Sequence, residues 1–283
     1  MTTPIEASSG SRVTAARPQG LRAPRCPWLS LGFLLACAVV CVAAPLLAPH
    51  AADEVFAGNW EPPSRLAWLG TDNLGRDMLS RLLWSTRTTL TLALLSVLFA
   101  SLTGGMAGLV AGLRGGWLDT VLARLADVLM SIPSLVFALV ALSVVTPGAL
   151  TLCIVVGLLE GMRLFRVTRA LAASVSPLDY IDVARLRGDR LATLVVREVL
   201  PNIATPLVAE LGLRLVFAVL MIATLSFLGL GLPPPATDWG SLAKDNKDGV
   251  LFGVAAALFP GLLIAAFSLS VNRVLEWGTR RGR

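Results

Sequence analysis

The most regular feature of the chain is a series of six apolar runs separated by polar segments. Most of the runs contain 18 or more residues with few charges, a length typical of helices that cross a bilayer. The runs cover about residues 29–48, 88–113, 118–145, 149–165, 203–228 and 250–271. The pattern predicts an all-α membrane protein with six transmembrane helices, in which residues 29–283 form a single transmembrane domain.

The first apolar run follows a tail, residues 1–28, that bears Arg and is rich in Pro and Ser. A cleaved signal peptide is the alternative interpretation of this run. The apolar core of a signal peptide has about 7–15 residues, fewer than the run contains. The length favours an uncleaved span preceded by a cytoplasmic tail.

The basic residues are distributed unevenly between the two sides of the predicted membrane. If the N-terminus is inside, the cytoplasmic pieces hold 17 Arg residues, whereas the outer segments hold 6 Arg and Lys residues. An excess of Arg and Lys on one side marks that side as cytoplasmic. The chain is therefore predicted to be a multi-pass protein of a bacterial cytoplasmic membrane with both termini inside and residues 50–87 outside.

Composition and motifs exclude several function classes. Of the 283 residues, 55% are hydrophobic and 15% are charged, with a net charge of +6. Arg anchoring of cytoplasmic loops explains that charge better than nucleic-acid binding, since basic residues are not interleaved with aromatic ones. The sequence shows no phosphate-binding loop, no metal-ligand cluster and no nucleophile–base set, so we expect no catalytic site and no metal site. The four cysteines imply no disulfide framework.

The longest polar interruption, residues 166–202, lies between the fourth and fifth runs on the Arg-rich side. Within it, Tyr180–Asn202 is predicted to form a short helix, a turn at Gly188 and a second helix from Leu191. Glycine permits a turn that residues with a Cβ resist, and Ser176 or Asp179 is a candidate helix cap. The segment is either a docking element for a soluble partner or a solvated loop that joins two spans.

Two outer segments contain further motifs. Asp72 is a candidate N-cap for a short amphipathic helix at the outer surface, whose apolar face contains Met78 and Leu82. This helix either forms a gate or docking element, with Arg76 and Asp77, or simply orients the second span. After the fifth run, Gly and Pro residues end the helix, and Trp239 suits the membrane interface. That loop is either a contact for solute or a delivering protein, or a plain turn.

Four ionisable residues fall inside the predicted spans, where charge is costly and faces a cavity or a partner. They are Asp127, Glu160, Glu210 and Arg214. Glu210 and Arg214 are four residues apart and are expected to pair on one helix face. Pairing within the bundle is favoured over contact with a transported solute.

The chain resembles the inner-membrane permease subunits of bacterial ABC importers for dipeptides, oligopeptides and nickel, of the "C" type. The resemblance covers about residues 29–277 and is carried by the order and spacing of four motifs. These are Leu69–Asp77, the family's "EAA" loop at Tyr180–Asn202, the Ser226–Gly231 segment followed by Trp239-Gly240, and Leu258–Leu262 with Asn272.

The resemblance implies a type I ABC importer permease fold with a cytoplasmic coupling helix. A second permease subunit would complete the path, two ATPase subunits would bind ATP and Mg, and an extracytoplasmic solute-binding protein would deliver the cargo. This chain would hold no cofactor of its own. The coupling residues implied are Asp182, Ala184, Arg185, Arg187, Gly188, Asp189 and Arg190.

The chain departs from the family pattern at several of these positions. Asp182-Val183-Ala184 replaces the usual Glu-Ala-Ala, and Asp189-Arg190 replaces small residues after the glycine. Such charges are expected to help select the cognate ATPase. Short peptides are the favoured cargo, with nickel, metal chelates and opine-like solutes as alternatives. An ion-coupled secondary transporter is disfavoured, because no inverted repeat is evident.

Overall fold

The computed structural model describes residues 26–146 and 148–281, and this part of the chain is mostly helical. Of the predicted tail, residues 1–28, the first 25 lie outside the described residues. Within the described part, strand pairing is limited to two isolated bridges, Val55 with Arg76 and Thr71 with Asp77. The helices are α1 (Trp28–Leu47), α2 (Met78–Ala100), α3 (Met106–Arg114), α4 (Gly116–Ser131), α5 (Ser134–Val144), α6 (Ala149–Val175), α7 (Asp179–Leu186), α8 (Leu191–Thr193), α9 (Leu200–Phe227), α10 (Trp239–Asn246) and α11 (Leu258–Arg281).

Two π-helical turns join shorter helices into long ones. Ser101–Gly105 connects α2 to α3, so that helix runs without a break over Met78–Arg114. Leu194–Val199 connects α8 to α9, giving a second helix of 37 residues over Leu191–Phe227. Both helices begin earlier than the apolar runs at 88–113 and 203–228, because the segments before those runs are helical although they contain charged residues such as Arg81 and Arg197.

Four helices of the described chain are long and apolar enough to cross a membrane: Trp28–Leu47, Met78–Arg114, Leu191–Phe227 and Ala255–Arg280. The predicted third span, 118–145, is not one helix: α4 and α5 are bent by 86°. Pro133 explains the break, since it has no N–H to donate and its ring excludes a helical conformation at Ile132. If the bent pair is one span, the number rises to five.

Helix α6 contains the fourth apolar run but extends ten residues beyond it. It is 27 residues long, and every stretch of 18 residues within it contains at least three charged side chains. Helix α6 is therefore long enough to cross a membrane, but each of the four apolar helices has a stretch of 18 residues with at most two charged side chains, and α6 has none. The sixth run, predicted from residue 250, begins as 3₁₀ turns and becomes α-helical only at Leu258.

A stripe of glycines brings α3 against α6. A Cβ on Gly104 would collide with the backbone of Gly161, and one on Gly112 would collide with the carbonyl oxygen of Arg169. Gly108, between them, faces Thr168 in the same way. Small residues spaced four apart allow membrane helices to approach at backbone distance. This spacing was visible in the sequence, although the prediction did not use it.

Candidate functional site

The polar segment between the fourth and fifth runs has the helix and the turn that the sequence predicts. Helix α7 ends at Leu186, Gly188 has a φ of 81°, and helical structure resumes at Leu191. The N–H groups of Gly188 and Asp189 donate to the carbonyls of Arg185 and Ala184. A Cβ on Gly188 would meet nothing within 4 Å, so the backbone conformation, rather than lack of space, requires glycine here.

The cap predicted for this helix is wrong. Residue Leu178 precedes α7, and no side chain caps the helix by a hydrogen bond. Ser176 instead accepts a hydrogen bond from Arg185 at 2.9 Å. Asp179 is the first residue of the helix, where a negative charge still favours the positive end of the helix dipole.

Helix α7 has one buried face and one exposed face. Ile181 and Ala184 are fully buried in an apolar cluster that also contains residues of α3, α6 and the Leu194–Val199 turn. On the opposite side, Val183 is 53% exposed and Leu186 is 88% exposed. The helix is therefore fixed to the bundle through its inner face while its outer face presents apolar side chains outward.

The charges beside α7 are of two kinds. Arg185 fixes the segment, because its guanidinium donates to the carbonyl of Leu113 at 3.0 Å and lies 3.2 Å from Asp182. Arg187 makes only long ion pairs, 3.6 Å to Asp189 and 3.8 Å to Glu198. Within the described chain, Arg190 has neither a hydrogen bond nor an ion pair from its side chain, and it is exposed.

A chain of ion pairs links three elements inside the helical bundle. Glu160 of α6 is fully buried and lies 3.1 Å from Arg214 of α9 and 2.5 Å from Arg163. Arg214 also lies 2.8 Å from Glu210, as the four-residue spacing predicts. Arg163 donates to Ser134 at the start of α5, at 2.9 Å. These residues brace α5, α6 and α9 against one another.

Asp127 is not part of this buried set. It pairs with Arg166 of α6 at 2.9 Å, and both side chains are 57% exposed. Farther along, Arg169 of α6 forms an ion pair with Asp119 in the first turn of α4. Three arginines spaced three apart on α6 thus connect to α4 and α5. The prediction missed this ladder, although the spacing in Arg163, Arg166 and Arg169 was a visible signal.

At the other end of the bundle, the cap predicted at Asp72 is wrong. Asp77 is the residue that caps α2, accepting from the backbone N–H of Ser80 at 2.9 Å. The separate surface helix around Met78 and Leu82 is instead the beginning of α2, with both side chains buried. Capping depends on which carboxylate faces the free N–H groups, and two candidates five residues apart look alike in sequence.

Asp72 has a different role at the centre of a buried charge cluster. It is fully buried and accepts from the backbone N–H groups of Leu74 and Arg76 and from the Arg76 side chain at 2.7 Å. Arg81, only 1% exposed, lies 3.5 Å from Asp72 and 3.8 Å from Asp245 of α10. Arg81 went unnoticed in the sequence, since nothing local distinguishes it from Arg87.

Trp239 is also buried rather than placed at the membrane interface. Its backbone N–H donates to Thr89, its indole Nε1 donates to Thr86 at 3.1 Å, and its ring packs edge-on against Phe267. Asp238 precedes it and caps α10 through the N–H groups of Gly240 and Ser241. Burial raises the pKa of the Asp238 carboxyl, although hydrogen bonds to it partly oppose that shift.

The predicted outer docking residues are therefore used inside the fold. Asp72, Asp77 and Trp239 are each at most 2% exposed, and Arg76 is 12% exposed and paired. The side chains of Asp72, Asp77 and Trp239 are bound within the fold, whereas Arg76 reaches the surface, so the role of these four residues as a gate or docking element stays a prediction. Within residues 26–146 and 148–281, no group of three or more His, Cys, Asp or Glu side chains is placed to hold a metal ion.

Comparison with known proteins adds independent evidence. A family model described as binding-protein-dependent transport system inner membrane component matches residues 104–282. A glutathione transport system permease protein of Pectobacterium atrosepticum is 31% identical over 242 residues, covering 85% of this chain and 80% of the relative. A dipeptide transport system permease protein of Haemophilus influenzae is 30% identical, covering 86% and 85%. A di/tripeptide transport system permease protein of Pseudomonas aeruginosa is 33% identical, covering 85% and 82%.

Proposed function

Because the chain belongs to the family of binding-protein-dependent transport system inner membrane components, we propose that it is a permease subunit for the uptake of short peptides. The observation that carries the proposal is the similarity, over about 85% of the chain, to relatives named for glutathione, dipeptide and di/tripeptide transport. Such a subunit is a multi-pass membrane protein of an ABC importer. ATP and Mg are bound by partner ATPases, and a second permease completes the path.

The finer membrane topology is part of the proposal. The four long apolar helices cross the membrane, the bent pair α4–α5 crosses as one broken span, and α6 is the sixth crossing. The charges of α6 are tolerable in a membrane because each of them is paired. Glu160 forms ion pairs with Arg163 and Arg214. Arg166 and Arg169 form ion pairs with acidic residues of α4. The excess of arginine around α7 supports the proposal that this end of the bundle and both termini lie in the cytoplasm.

We assign α7 the role of coupling helix against a partner ATPase. Its inner face is anchored by Ile181 and Ala184, and its outer face presents Val183 and Leu186 to solvent. An exposed leucine next to unpaired or loosely paired arginines suits a protein partner better than bulk water. Movement of the ATPases would be transmitted through α7 to α3, α6 and the Leu194–Val199 turn as one packed unit.

The charged face of α6 indicates where the aqueous path runs. Asp127 and Arg166 are both more than half exposed, and an exposed ion pair is unfavourable against lipid. We propose that this face borders the water-filled path or the second permease. Glu160, Glu210 and Arg214 are mostly buried and brace the bundle instead of contacting cargo.

Reconstitution tests the function directly. The chain with its second permease, both ATPases and the binding protein in proteoliposomes is expected to accumulate labelled dipeptide only when ATP is supplied. The purified chain alone is expected to hydrolyse no ATP. Robust hydrolysis by the chain alone, or uptake without the ATPases, would contradict an ATP-driven permease.

The coupling role has a matched pair of variants. Gly188 and Gly253 both have positive φ, 81° and 75°, and a Cβ on either would meet nothing within 4 Å. Valine therefore introduces similar backbone strain at both positions. Gly188→Val is expected to impair ATPase assembly and uptake while membrane insertion persists, whereas Gly253→Val leaves assembly intact. Equal assembly of the two variants would argue against α7 as the coupling helix.

A further inference from the structure

A cavity of about 430 Å³ lies where the outer segment, the end of α9 and α10 meet. Its walls include Asn73, Leu74 and Arg76, the turn after Ser226, three consecutive prolines from Pro233, and the half-buried side of α10. Cavities of about 300–1,000 Å³ are the size of small-molecule sites. The proposed topology places this one on the side from which cargo arrives.

Three cations line the cavity, and only two of them are matched by acids. Arg76 is paired with the buried carboxylate of Asp72, and Arg81 lies between Asp72 and Asp245. Lys244, the third, has neither a hydrogen bond nor an ion pair to any residue of the described chain. Lys244 is therefore the cation of the cavity wall that no carboxylate of the described chain contacts.

The position of the Lys244 ammonium is well defined by its neighbours. A Cβ on Gly229 would lie 2.8 Å from Nζ, so the side chain lies over the turn that follows α9. Lys244 is half-buried, and Thr237, which lines the same cavity, is 7% exposed with its hydroxyl free of hydrogen bonds within the described chain. A cavity wall that offers an unpaired ammonium and a free hydroxyl group is a complement to an anion with two oxygens.

The acidic residue in the cavity wall favours a monoanion over a phosphate. Asp245 lines the same cavity as Lys244, so a doubly charged ligand would be repelled more strongly by that carboxylate than a singly charged one. We propose that the cavity is a cargo subsite in which Lys244 binds the C-terminal carboxylate of a short peptide. The inference rests on the proposed function, which supplies the peptide as cargo.

Binding to the assembled importer, measured without the binding protein, tests the subsite. The probes are L-alanyl-L-alanine and its C-terminal amide, and the readout is saturation-transfer NMR on the importer in nanodiscs. Wild type is expected to bind the free dipeptide in preference to the amide. Lys244→Gln is expected to weaken dipeptide binding by about tenfold, the loss of one charge-assisted hydrogen bond, and to leave amide binding unchanged.

The only other lysine of the chain provides the matched control. Lys247 is exposed, three residues after Lys244, and does not line the cavity. Lys247→Gln is expected to bind both probes as wild type does. Any effect of net charge on the importer as a whole would appear in both variants.

Three results would overturn the subsite: no dipeptide binding by wild type, equal binding by wild type and Lys244→Gln, or equal loss in the two lysine variants. A fourth result would also overturn it: the Lys244→Gln importer binds the dipeptide as wild type does but binds the solute-binding protein more weakly. Lys244 would then bind a carboxylate of that protein and not that of the peptide. ATP-driven uptake by the wild-type importer is measured in the same preparation. Its absence counts against the proposed function, whereas uptake that proceeds without a Lys244 effect counts only against the subsite.

Discussion

The two ends of the bundle use similar residues in opposite ways. At the end that contains residues 72–81, here called the Asp72 end, Asp72 and Arg81 are almost fully buried and form ion pairs within the chain. At the α7 end, Leu186 is 88% exposed and Arg187 makes only long ion pairs. Both ends are rich in Asp and Arg, so charge alone does not mark a surface for a partner. What differs is whether the fold already binds those charges.

The largest expected effect comes from breaking the cluster of Asp72 and Arg81. Asp72→Ala leaves Arg81 buried with the 3.8 Å pair to Asp245 as its ion pair and a 3.3 Å hydrogen bond to the carbonyl of Ala52. Removing one partner of a buried ion pair costs about 3–5 kcal/mol of stability, because the other charge stays desolvated. Thermal unfolding of the detergent-solubilised protein measures the loss.

Asp182→Ala is the matched change at the α7 end. Asp182 and Arg185 are 60% and 43% exposed, and such a pair contributes about 0–1 kcal/mol. A similar loss of stability in Asp72→Ala and Asp182→Ala would remove the contrast between the two ends.

A smaller effect is expected from the buried tryptophan. Trp239→Phe removes the hydrogen bond from Nε1 to Thr86 and part of the ring volume. We expect a loss of about 1–2 kcal/mol in thermal unfolding, since the hydroxyl of Thr86 loses its donor in a buried site. Trp117→Phe on α4, where the ring is 77% exposed, is expected to change stability very little. A large loss of stability in Trp117→Phe would show that the exposure of a tryptophan in the isolated chain does not predict how much its replacement destabilises the protein.

At the α7 end, loosening is expected to be local. Arg185→Ala removes the hydrogen bonds to Leu113 and Ser176. We expect it to lower the stability of α7 by about 1 kcal/mol and to leave the rest of the bundle unchanged. Hydrogen exchange of the amides in residues 179–186 is expected to accelerate, while exchange in α2 stays constant. Arg187→Ala serves as the control, because its ion pairs are long and exposed. Acceleration in both variants would mean that Arg185 has no special anchoring role.

The smallest effect concerns pH at the Asp72 end of the bundle. The folded pKa of Asp238 is raised by burial, so its protonated form favours the folded state. That contribution is complete below the unfolded pKa of about 3.9 and is lost as pH rises through the higher folded pKa.

Asp238→Asn should remove this slope from a plot of unfolding temperature against pH. At pH 4 the substitution is expected to change stability by less than about 0.5 kcal/mol, because asparagine caps helices as well as aspartate does. A slope that survives the substitution would assign the pH dependence to another group.

The sequence was a good guide where the signal is local. Apolar runs predicted the long helices, the four-residue spacing predicted the pair of Glu210 with Arg214, and Gly188 predicted a turn after α7. The break at Pro133 was also a local signal, but the high hydropathy of the run around it obscured the proline.

Contacts between distant residues were not predictable in this way. Trp239 is buried because Thr86 and Thr89 of α2 accept its N–H groups, about 150 positions earlier in the chain. An amphipathic ring fits an interface or a core equally well until those partners are known. The sequence likewise does not show which of Asp72 and Asp77 faces the first turn of α2. In the structure Asp77 caps that helix, and Asp72 binds Arg76.

The π turn at Ser101–Gly105 determines the direction in which the side chains of α3, which follows it, face around the helix axis. On an α-helix, each step of four residues rotates the side-chain direction by about 40° beyond a full turn. A row of residues that starts at Leu92 and continues through Ser96 and Ala100 to Gly112 takes five such steps. On a regular α-helix the row would therefore rotate away from α6 by about 200°. One extra residue in a wide turn takes back about 100° of this rotation. Deleting a single residue within Ser101–Gly105 would leave the hydropathy intact but rotate Gly108 and Gly112 off α6. Chain length in this turn, as much as the glycines themselves, therefore encodes the helix contact.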